Sequence, residues 1–144
     1  MSSNKKYKIG YTQGTYDLFH VGHLNVINHA KELCDFLIVG VNSDTLVNEY
    51  KHHFPIICDL NRAQIVSNLK AVDECHIVET LDKVEIWKLY KFNAIFIGDD
   101  WKGNARWEQT ERDLKQFNAE VIYLSHTPDI SSTRIRNILN NKNK

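Results

Sequence analysis

Two histidines lie three residues apart in the segment GTYDLFHVGH, residues 14 to 23, which follows a short apolar run. At this spacing His20 and His23 face the same side of a helix start, so both imidazoles can contact one ligand. The first backbone amides of a helix bind anions with the help of the helix dipole, and Gly14 is expected to allow a tight turn before them. The segment therefore indicates a phosphate-binding site where a strand gives way to a helix.

The same pair has two other interpretations. Zinc binding would need a third ligand at a characteristic spacing, and the metalloprotease pattern has histidines four residues apart with a glutamate between them. The sequence offers neither, so we assign no metal ligand to the protein at this site. The remaining alternative is structural, with one histidine capping a helix and the other exposed to solvent.

Two further groups of polar residues follow predicted strands. Asp99 and Asp100 come directly after the apolar segment AIFIG, where they could accept hydrogen bonds from ribose hydroxyls or a base amine, or help hold Mg²⁺. They could equally start a turn before Gly103. The segment SST at 131 to 133 offers hydroxyls and amides at a predicted helix start, which suits phosphate oxygens but is also an ordinary capping sequence.

The elements that would carry these residues alternate between strand and helix. Strands are predicted at 7–12, 36–41, 74–78, 94–98 and 120–124, and helices at 21–34, 61–72, 81–92, 106–118 and 133–140, with a short helix between 42 and 57. The buried face of the first helix is expected to contain Val21, Leu24, Ile27 and Cys34. This order predicts an α/β fold, a doubly wound, Rossmann-like, five-stranded, mostly parallel sheet with helices on both faces. Ligands bind such folds at the carboxyl ends of the strands, where each motif above lies.

Composition narrows the class of protein. The 144 residues suit one compact domain, 1–144, and 18 basic residues balance 18 acidic ones, so no net charge would attract nucleic acid or an anionic membrane. No apolar stretch approaches the roughly 20 residues that span a bilayer, and the N-terminus lacks a signal-peptide core, so a cytoplasmic protein is expected. Cys34, Cys58 and Cys75 are widely spaced and are expected to be inert thiols.

The motifs together resemble a known family. HVGH, residues 20 to 23, resembles the H-x-G-H motif of the nucleotidyltransferase superfamily, and more narrowly of the cytidylyltransferases. FIGDDWKG, residues 96 to 103, resembles the segment after the fourth strand of glycerol-phosphate cytidylyltransferases, and TPDISSTRIR, residues 127 to 136, resembles their C-terminal I-S-T-T motif. The resemblance implies transfer of CMP from CTP, with Mg²⁺, to a small phosphomonoester. Glycerol phosphate is the first expectation, with CDP-glycerol and pyrophosphate as products.

The resemblance also implies roles for individual residues. His20 and His23 would hold phosphates and stabilise developing charge, while Lys51 and Arg62 would clamp the anionic substrates. The nucleotide-binding residues would be Gly14, Thr15, Tyr16, Asp17, Gly22, Gly98, Asp99, Asp100, Thr127, Ile130, Ser131, Ser132 and Thr133. The acceptor-binding residues would be Trp101, His126 and Arg136. For Asp17, a structural role in bracing its loop is an equal alternative.

The sequence departs from the family pattern at two places. Glycerol-phosphate and choline-phosphate members typically have arginine before the threonine of the last motif, where this chain has His126. Histidine lacks the bidentate fork of arginine and would contact phosphate less strongly. Lysines are also sparse after Lys51, where His52 and His53 follow. These departures leave open choline phosphate, ethanolamine phosphate or another polyol phosphate as acceptor, and a non-catalytic nucleotide-binding module. An adenylyltransferase is a further alternative, because the H-x-G-H and I-S-S-T motifs are shared across the superfamily.

The expected partners are CTP and a small phosphomonoester, without nucleic acid or membrane insertion. The segment KAVDECHI, residues 70 to 77, resembles a stretch that lies at the dimer interface of related cytidylyltransferases. The resemblance therefore also implies a homodimer.

Overall fold

A single parallel sheet forms the centre of the molecule. The computed structural model describes residues 5 to 125 and 131 to 142. Its strands are β1 (Tyr7–Gly14), β2 (Cys34–Asn42), β3 (Glu74–Val78), β4 (Ala94–Gly98) and β5 (Glu120–Leu124). They lie in the order β3-β2-β1-β4-β5, and every neighbouring pair is parallel. The five-stranded α/β architecture predicted from the sequence is confirmed.

Helices connect the strands and cover both faces of the sheet. They are α1 (Val21–Leu33), α2 (Asp44–Lys51), α3 (Asp59–Ser67), α4 (Lys83–Tyr90), α5 (Ala105–Lys115) and α6 (Ser132–Lys142), with a single 3₁₀ turn at Asp99–Trp101. On one face, α1 and α3 bury Ile27, Ala30 and Val66 against the sheet. On the other, α4 and α5 bury Ile86, Trp107 and Leu114. Burial of both faces explains the almost continuous apolar runs in β2 and β4, which flank β1 at the centre of the sheet.

The order of the connections creates a crevice between β1 and β4. The chain leaves β1 into α1 on one face of the sheet, and it leaves β4 into α5 on the opposite face. Since β1 and β4 are neighbours, their carboxyl ends are not covered by a shared connection. Such a switch point is the usual ligand site of doubly wound sheets.

The predicted element boundaries are partly wrong. Strands β3, β4 and β5 have the predicted bounds, but Cys34 begins β2 instead of ending α1. Val21 is 54% exposed, so it does not lie on the buried face of α1 as predicted. The buried residues of α1 start at Ile27, further along the helix. Helix α3 ends at Ser67, and successive tight turns carry the chain from there to Asp73.

Two other expectations concern the membrane and the thiols. Within the described part of the chain, no helix combines the length and apolarity needed to cross a membrane. Cys34 is buried, Cys58 is exposed and Cys75 is partly buried, and all three are free. Burial raises the pKa of Cys34 and raises that of Cys75 to about 11, so both thiols stay protonated near neutral pH.

Candidate active site

A cleft of about 650 Å³ opens at the carboxyl ends of β1 and β4. It is bordered by the ends of these strands and by the starts of α1, α4, α5 and α6. The cleft brings together most of the residues predicted from the sequence: Gly14, Thr15, Tyr16, Asp17, His20, Gly22, His23, Lys51, Gly98, Asp100, Trp101, Ser131, Ser132, Thr133 and Arg136. The predicted residues His126, Thr127 and Ile130 lie outside the described residues.

The two histidines form a reciprocal cap at the start of α1. His20 Nδ1 accepts a hydrogen bond from the Gly22 amide at 3.0 Å, and His23 Nδ1 accepts one from the His20 amide at 3.2 Å. The rings stack with centroids 3.9 Å apart. Serine and glutamate usually make this capping arrangement. The alternative in which His20 caps a helix is therefore correct. His20 also lines the cleft, so it has both positions at once.

The cap fixes the tautomer of both imidazoles. Since each Nδ1 accepts a hydrogen bond, a neutral ring must carry its proton on Nε2. Burial lowers the pKa of His20, and burial followed by the neighbouring His20 lowers the pKa of His23 to about 4. Both rings are therefore neutral near pH 7 and present Nε2–H as a donor. The Nε2 atom of His20 is buried and has no hydrogen-bond partner among the described residues.

The lowered pKa of His23 predicts acid sensitivity of folding. The unfolded chain binds a proton near pH 6.5, whereas the folded chain resists it until about pH 4. Acidification through this window should lower the free energy of unfolding by about 3 kcal/mol through this residue. Urea unfolding at pH 7, 5.5 and 4.5 should show a smaller loss in His23→Ala than in wild type. His29→Ala, on the same helix outside the cleft, should retain the wild-type pH dependence; equal dependence in all three proteins would refute the assignment.

Asp17 braces the loop that carries the histidines. Its carboxylate is 2% exposed and accepts hydrogen bonds from the amides of Ile56 and Ile57 and from Arg136. Its carbonyl accepts from the Ser132 hydroxyl. Burial alone would raise the pKa of this carboxyl, but the three donors outweigh it and lower the pKa below its usual value. The structure thus supports the bracing alternative for Asp17.

The turn after β1 differs from the prediction in the residues that adopt left-handed backbone conformations. Gly14 ends β1 without a positive φ, and the left-handed conformations belong to Tyr16 at φ 57° and Leu18 at φ 51°. Space at 14 is tight, since a Cβ there would lie 3.0 to 3.3 Å from the Tyr16 ring. The buried Tyr16 ring in turn meets His23 edge-on, with centroids 5.5 Å apart. The expectation of a glycine-dependent turn at 14 is therefore wrong.

The two predicted cationic clamps have different positions. Lys51, at the end of α2, lines the cleft, with its ammonium 5.8 Å from the ring centroid of Tyr50. Arg62 does not line the cleft, and its side chain is completely buried. Its guanidinium bonds to the carbonyls of Thr15, Asn42 and Ile57 and pairs with Asp44 at 2.7 Å. Arg62 therefore holds protein groups beneath the cleft, and its placement differs from that expected of a substrate clamp.

The remaining predicted residues lie on the β4 and α6 sides. Asp100 and Trp101 line the cleft from the 3₁₀ turn, whereas Asp99 does not. Ser131 caps α6, because its hydroxyl accepts from the Arg134 amide and its carbonyl from the Ile135 amide. The prediction of a helix N-cap at 131 or 132 is confirmed at Ser131.

Sequence reasoning missed two groups that line the cleft. One contains Gln13, Asn42 and Tyr50, which form a hydrogen-bonded network with the predicted residue Thr15 and join the ends of β1 and β2 to α2. The other contains Lys83, Arg106 and Trp107, at the starts of α4 and α5. The place of the second group in the chain could have indicated that it lines the cleft, because both helices start after the carboxyl end of a strand.

Two carboxylates line the cleft among the residues that the structure describes. They are Asp17 and Asp100, and Asp17 is already engaged by three donors. Mg²⁺ usually keeps several waters and binds one or two carboxylates together with substrate phosphates. No group of three or more histidine, cysteine, aspartate or glutamate side chains suited to a metal occurs in residues 5–125 and 131–142. Asp100 is the residue in this donor set that would hold the ion.

Comparison with known proteins identifies the family of the chain. A family model described as cytidylyltransferase-like matches residues 11–138. The chain is 35% identical over 128 residues to a glycerol-3-phosphate cytidylyltransferase of Bacillus spizizenii, covering 87% of this chain and 92% of that protein. It is also 35% identical over 136 residues to an FAD synthase of Thermococcus sibiricus, covering 92% and 91%.

A solved structure supports the fold. The crystal structure of the lipopolysaccharide core biosynthesis protein from Thermoplasma volcanium superposes with a TM-score of 0.73 at 23% identity, covering 84% of this chain and 98% of that one. At this identity the likeness concerns the fold alone. The family assignment rests on the match over residues 11–138, a range that includes the histidine pair and the residues that line the cleft. This chain therefore belongs to the cytidylyltransferase-like family.

Proposed function

We propose that the protein transfers CMP from CTP to glycerol phosphate, giving CDP-glycerol and pyrophosphate. The observation that carries the proposal is the buried Nε2–H of His20, which has no acceptor in the described part of the chain, beside the second neutral imidazole of His23. A phosphate oxygen would supply that acceptor. The similarity to a glycerol-3-phosphate cytidylyltransferase over most of both chains supports the choice of nucleotide and acceptor.

The chemistry requires alignment and charge stabilisation more than proton transfer. A phosphomonoester has its second pKa near ~6, so its attacking oxygen is largely deprotonated at pH 7. That oxygen forms a bond to the α-phosphorus of CTP, and the bond from the α-phosphorus to the oxygen bridging to the β-phosphorus breaks. The electron pair of the broken bond leaves with pyrophosphate. Neutral imidazoles with low pKa values suit this reaction, because it needs hydrogen-bond donors and no general base.

The cleft residues have distinct roles in this proposal. His20 and His23 donate from Nε2 to phosphate oxygens and stabilise the negative charge that develops on them. Lys51, at the end of α2, adds a positive charge to the cleft. Mg²⁺ held by the triphosphate and Asp100 would neutralise part of the phosphate charge when bound. Gly98, Trp101 and the start of α6 form the wall against which the nucleoside would lie.

A second candidate keeps the site and changes the nucleotide. The FAD synthase relative has the same identity to this chain, and its product FAD contains an adenylate. ATP would then replace CTP as the nucleotide donor, with an acceptor that also bears a phosphate. The histidine pair would have the same role in either reaction, so the choice depends on nucleotide recognition.

Pyrophosphate release separates these candidates. Purified protein with Mg²⁺ is supplied with CTP or ATP and, in turn, glycerol 3-phosphate, glycerol 2-phosphate, choline phosphate and ethanolamine phosphate. The expected result is release with CTP and a glycerol phosphate, and formation of CDP-glycerol by chromatography. Release with ATP alone would establish the adenylyl alternative. Absence of release with every pair would contradict the proposal.

A homodimer is part of the same proposal. The segment at 70–77 that motivates it includes most of β3, which is an edge strand of the sheet. Light scattering of the purified protein is expected to give twice the 16.8 kDa mass of the chain. A monomer mass at assay concentration would contradict this part.

A further inference from the structure

A chain of hydrogen-bonded side chains connects the end of β1 with α2 beside the cleft. Gln13 Nε2 donates to the Thr80 carbonyl at 3.0 Å and to Asn42 Oδ1 at 2.8 Å. Gln13 Oε1 accepts from the hydroxyl of the buried Tyr11 at 2.6 Å. A backbone carbonyl can only accept a hydrogen bond, so the NH₂ group of Gln13 must face Thr80. The orientation of the Gln13 amide is therefore fixed by its partners.

The orientation of Asn42 follows from that of Gln13. Since Asn42 Oδ1 accepts from Gln13, the NH₂ group of this buried asparagine must face the other way. Its two hydrogens go to the Thr15 hydroxyl at 3.3 Å and to the Tyr50 hydroxyl at 3.2 Å. Both hydroxyl oxygens are therefore acceptors toward Asn42, and neither hydroxyl uses its own hydrogen in that contact.

The two hydroxyl groups have one hydrogen more than this network uses. Their oxygens lie 3.0 Å apart, and either group can donate to the other. That bond takes up one hydroxyl hydrogen, and the second has no acceptor within residues 5–125 and 131–142. Thr15 and Tyr50 both line the cleft, and Tyr50 is exposed. The pair thus presents one O–H donor to the cleft, whichever of the two groups supplies it.

A phosphate oxygen suits this donor best. Thr15 belongs to the loop between β1 and α1 that also carries His20 and His23, and Tyr50 precedes Lys51 at the end of α2. Imidazole Nε2–H groups, an ammonium group and the hydroxyl pair all present hydrogens to the same cleft. A ligand that satisfies them must offer several acceptor oxygens, and a hydrogen bond to a charged oxygen is about twice as strong as a neutral one.

We propose that the hydroxyl pair of Thr15 and Tyr50 presents one shared donor to a phosphate oxygen of the bound substrate. Gln13 and Asn42 are positioning residues, because they set the direction of the hydrogen bonds that leaves this donor unused. The inference rests on the proposed function and adds to its site Tyr50, which no motif of the sequence indicated. The triphosphate of the nucleotide is the expected ligand, since Thr15 lies on the loop that carries the histidines.

The test uses the redundancy of the two hydroxyls. In Tyr50→Phe the Thr15 hydroxyl still accepts from Asn42, and its own hydrogen becomes the donor; in Thr15→Val the Tyr50 hydroxyl does the same. Each single variant should raise KM for CTP by only about two- to threefold, because the remaining hydroxyl has lost the partner that orients it. The double variant has no donor and should raise KM by about 30- to 100-fold, the effect of losing a hydrogen bond to a charged group. This increase exceeds the product of the two single effects.

A purely structural contact between the hydroxyls predicts the opposite pattern. Either single substitution would then break the contact, and the double variant would add little to it. Thr15→Ser combined with Tyr50→Phe restores one hydroxyl and should return KM for CTP to the value of Tyr50→Phe alone. Thr110→Val combined with Tyr123→Phe removes the same groups outside the cleft and should leave KM within about twofold of wild type.

The two substrates are distinguished by their separate KM values. A more than multiplicative increase in KM for CTP would assign the donor to the nucleotide, and the same pattern in KM for glycerol 3-phosphate would assign it to the acceptor. Either result supports the shared donor. A double variant no weaker than the product of the single variants for both substrates would overturn it. If urea unfolding shows that the double variant is not folded, Thr15→Ala combined with Tyr50→Phe takes its place.

Direct binding tests the donor apart from the reaction. If wild type releases no pyrophosphate with any pair of substrates, the proposed function fails, and calorimetric titration of inorganic tripolyphosphate decides the present inference. This probe carries the phosphate oxygens without a base or a sugar. Affinity at least tenfold weaker in the double variant than in either single variant would support the shared donor. Equal affinity in all four proteins, or no binding to wild type, would overturn it.

Discussion

Loss of either Nε2–H donor in the cleft is expected to lower kcat by about 100- to 1000-fold, the usual effect of removing one preorganised donor from a charged transition state. His20→Asn tests this without removing the helix cap, because asparagine is a good N-cap and its side-chain oxygen can accept from the start of α1. His23→Ala removes the second donor together with the acceptor for the His20 amide. Single-turnover measurement of CMP transfer with saturating substrates would report the effect.

The control for both variants lies on the same helix. His29→Ala changes a partly buried histidine of α1 that does not line the cleft, and its kcat should remain within threefold of wild type. Thermal unfolding would establish that His20→Asn is folded. A turnover rate close to wild type in both cleft variants would contradict the proposed role of the two histidines in the reaction.

Replacing Arg62 is expected to have its main effect on stability. The guanidinium is fully buried and makes four hydrogen bonds, three to backbone carbonyls and one in its ion pair with Asp44. Arg62→Met would leave three carbonyls and a carboxylate without these donors, which should lower the free energy of unfolding by about 3 to 5 kcal/mol. Urea unfolding at pH 7 measures this loss.

An exposed arginine serves as the comparison for Arg62. Arg112→Met removes a side chain on the surface of α5 and should change the free energy of unfolding by less than about 0.5 kcal/mol. If Arg62→Met were as stable as wild type but had lost acceptor binding, the substrate clamp inferred from the family resemblance would be correct and the structural role wrong.

The fold was largely predictable because buried strands have a strong sequence signal. Strands β3, β4 and β5 each end directly before a polar residue, and their bounds were predicted correctly. Helix boundaries were less predictable, since they depend on contacts between distant residues. Residue 73 is an example: its amide bonds to the Leu37 carbonyl, and its carboxylate accepts from the Leu37 amide, which fixes the chain between α3 and β3.

The site was predictable where a motif is local and unpredictable where it depends on tertiary packing. His20 and His23 form their cap within four residues of sequence, so their spacing was informative. An arginine at position 62 suggested a clamp for anionic substrates. The structure instead buries its side chain, which bonds to Thr15 and Asp44. Lys83 had no motif at all, and only the packing of α4 beside α5 places it in the cleft.

The bracing of Asp17 links the site to the folding of the whole chain. Its partners Ile56, Ser132 and Arg136 lie 39, 115 and 119 residues further along the sequence. Contacts of such long range form slowly, since the intervening chain must first be ordered. The loop that carries the histidines is therefore completed only when α6 has docked. During synthesis, we therefore expect the N-terminal part of the chain to emerge while the Asp17 carboxylate and carbonyl still lack the donors that α6 supplies.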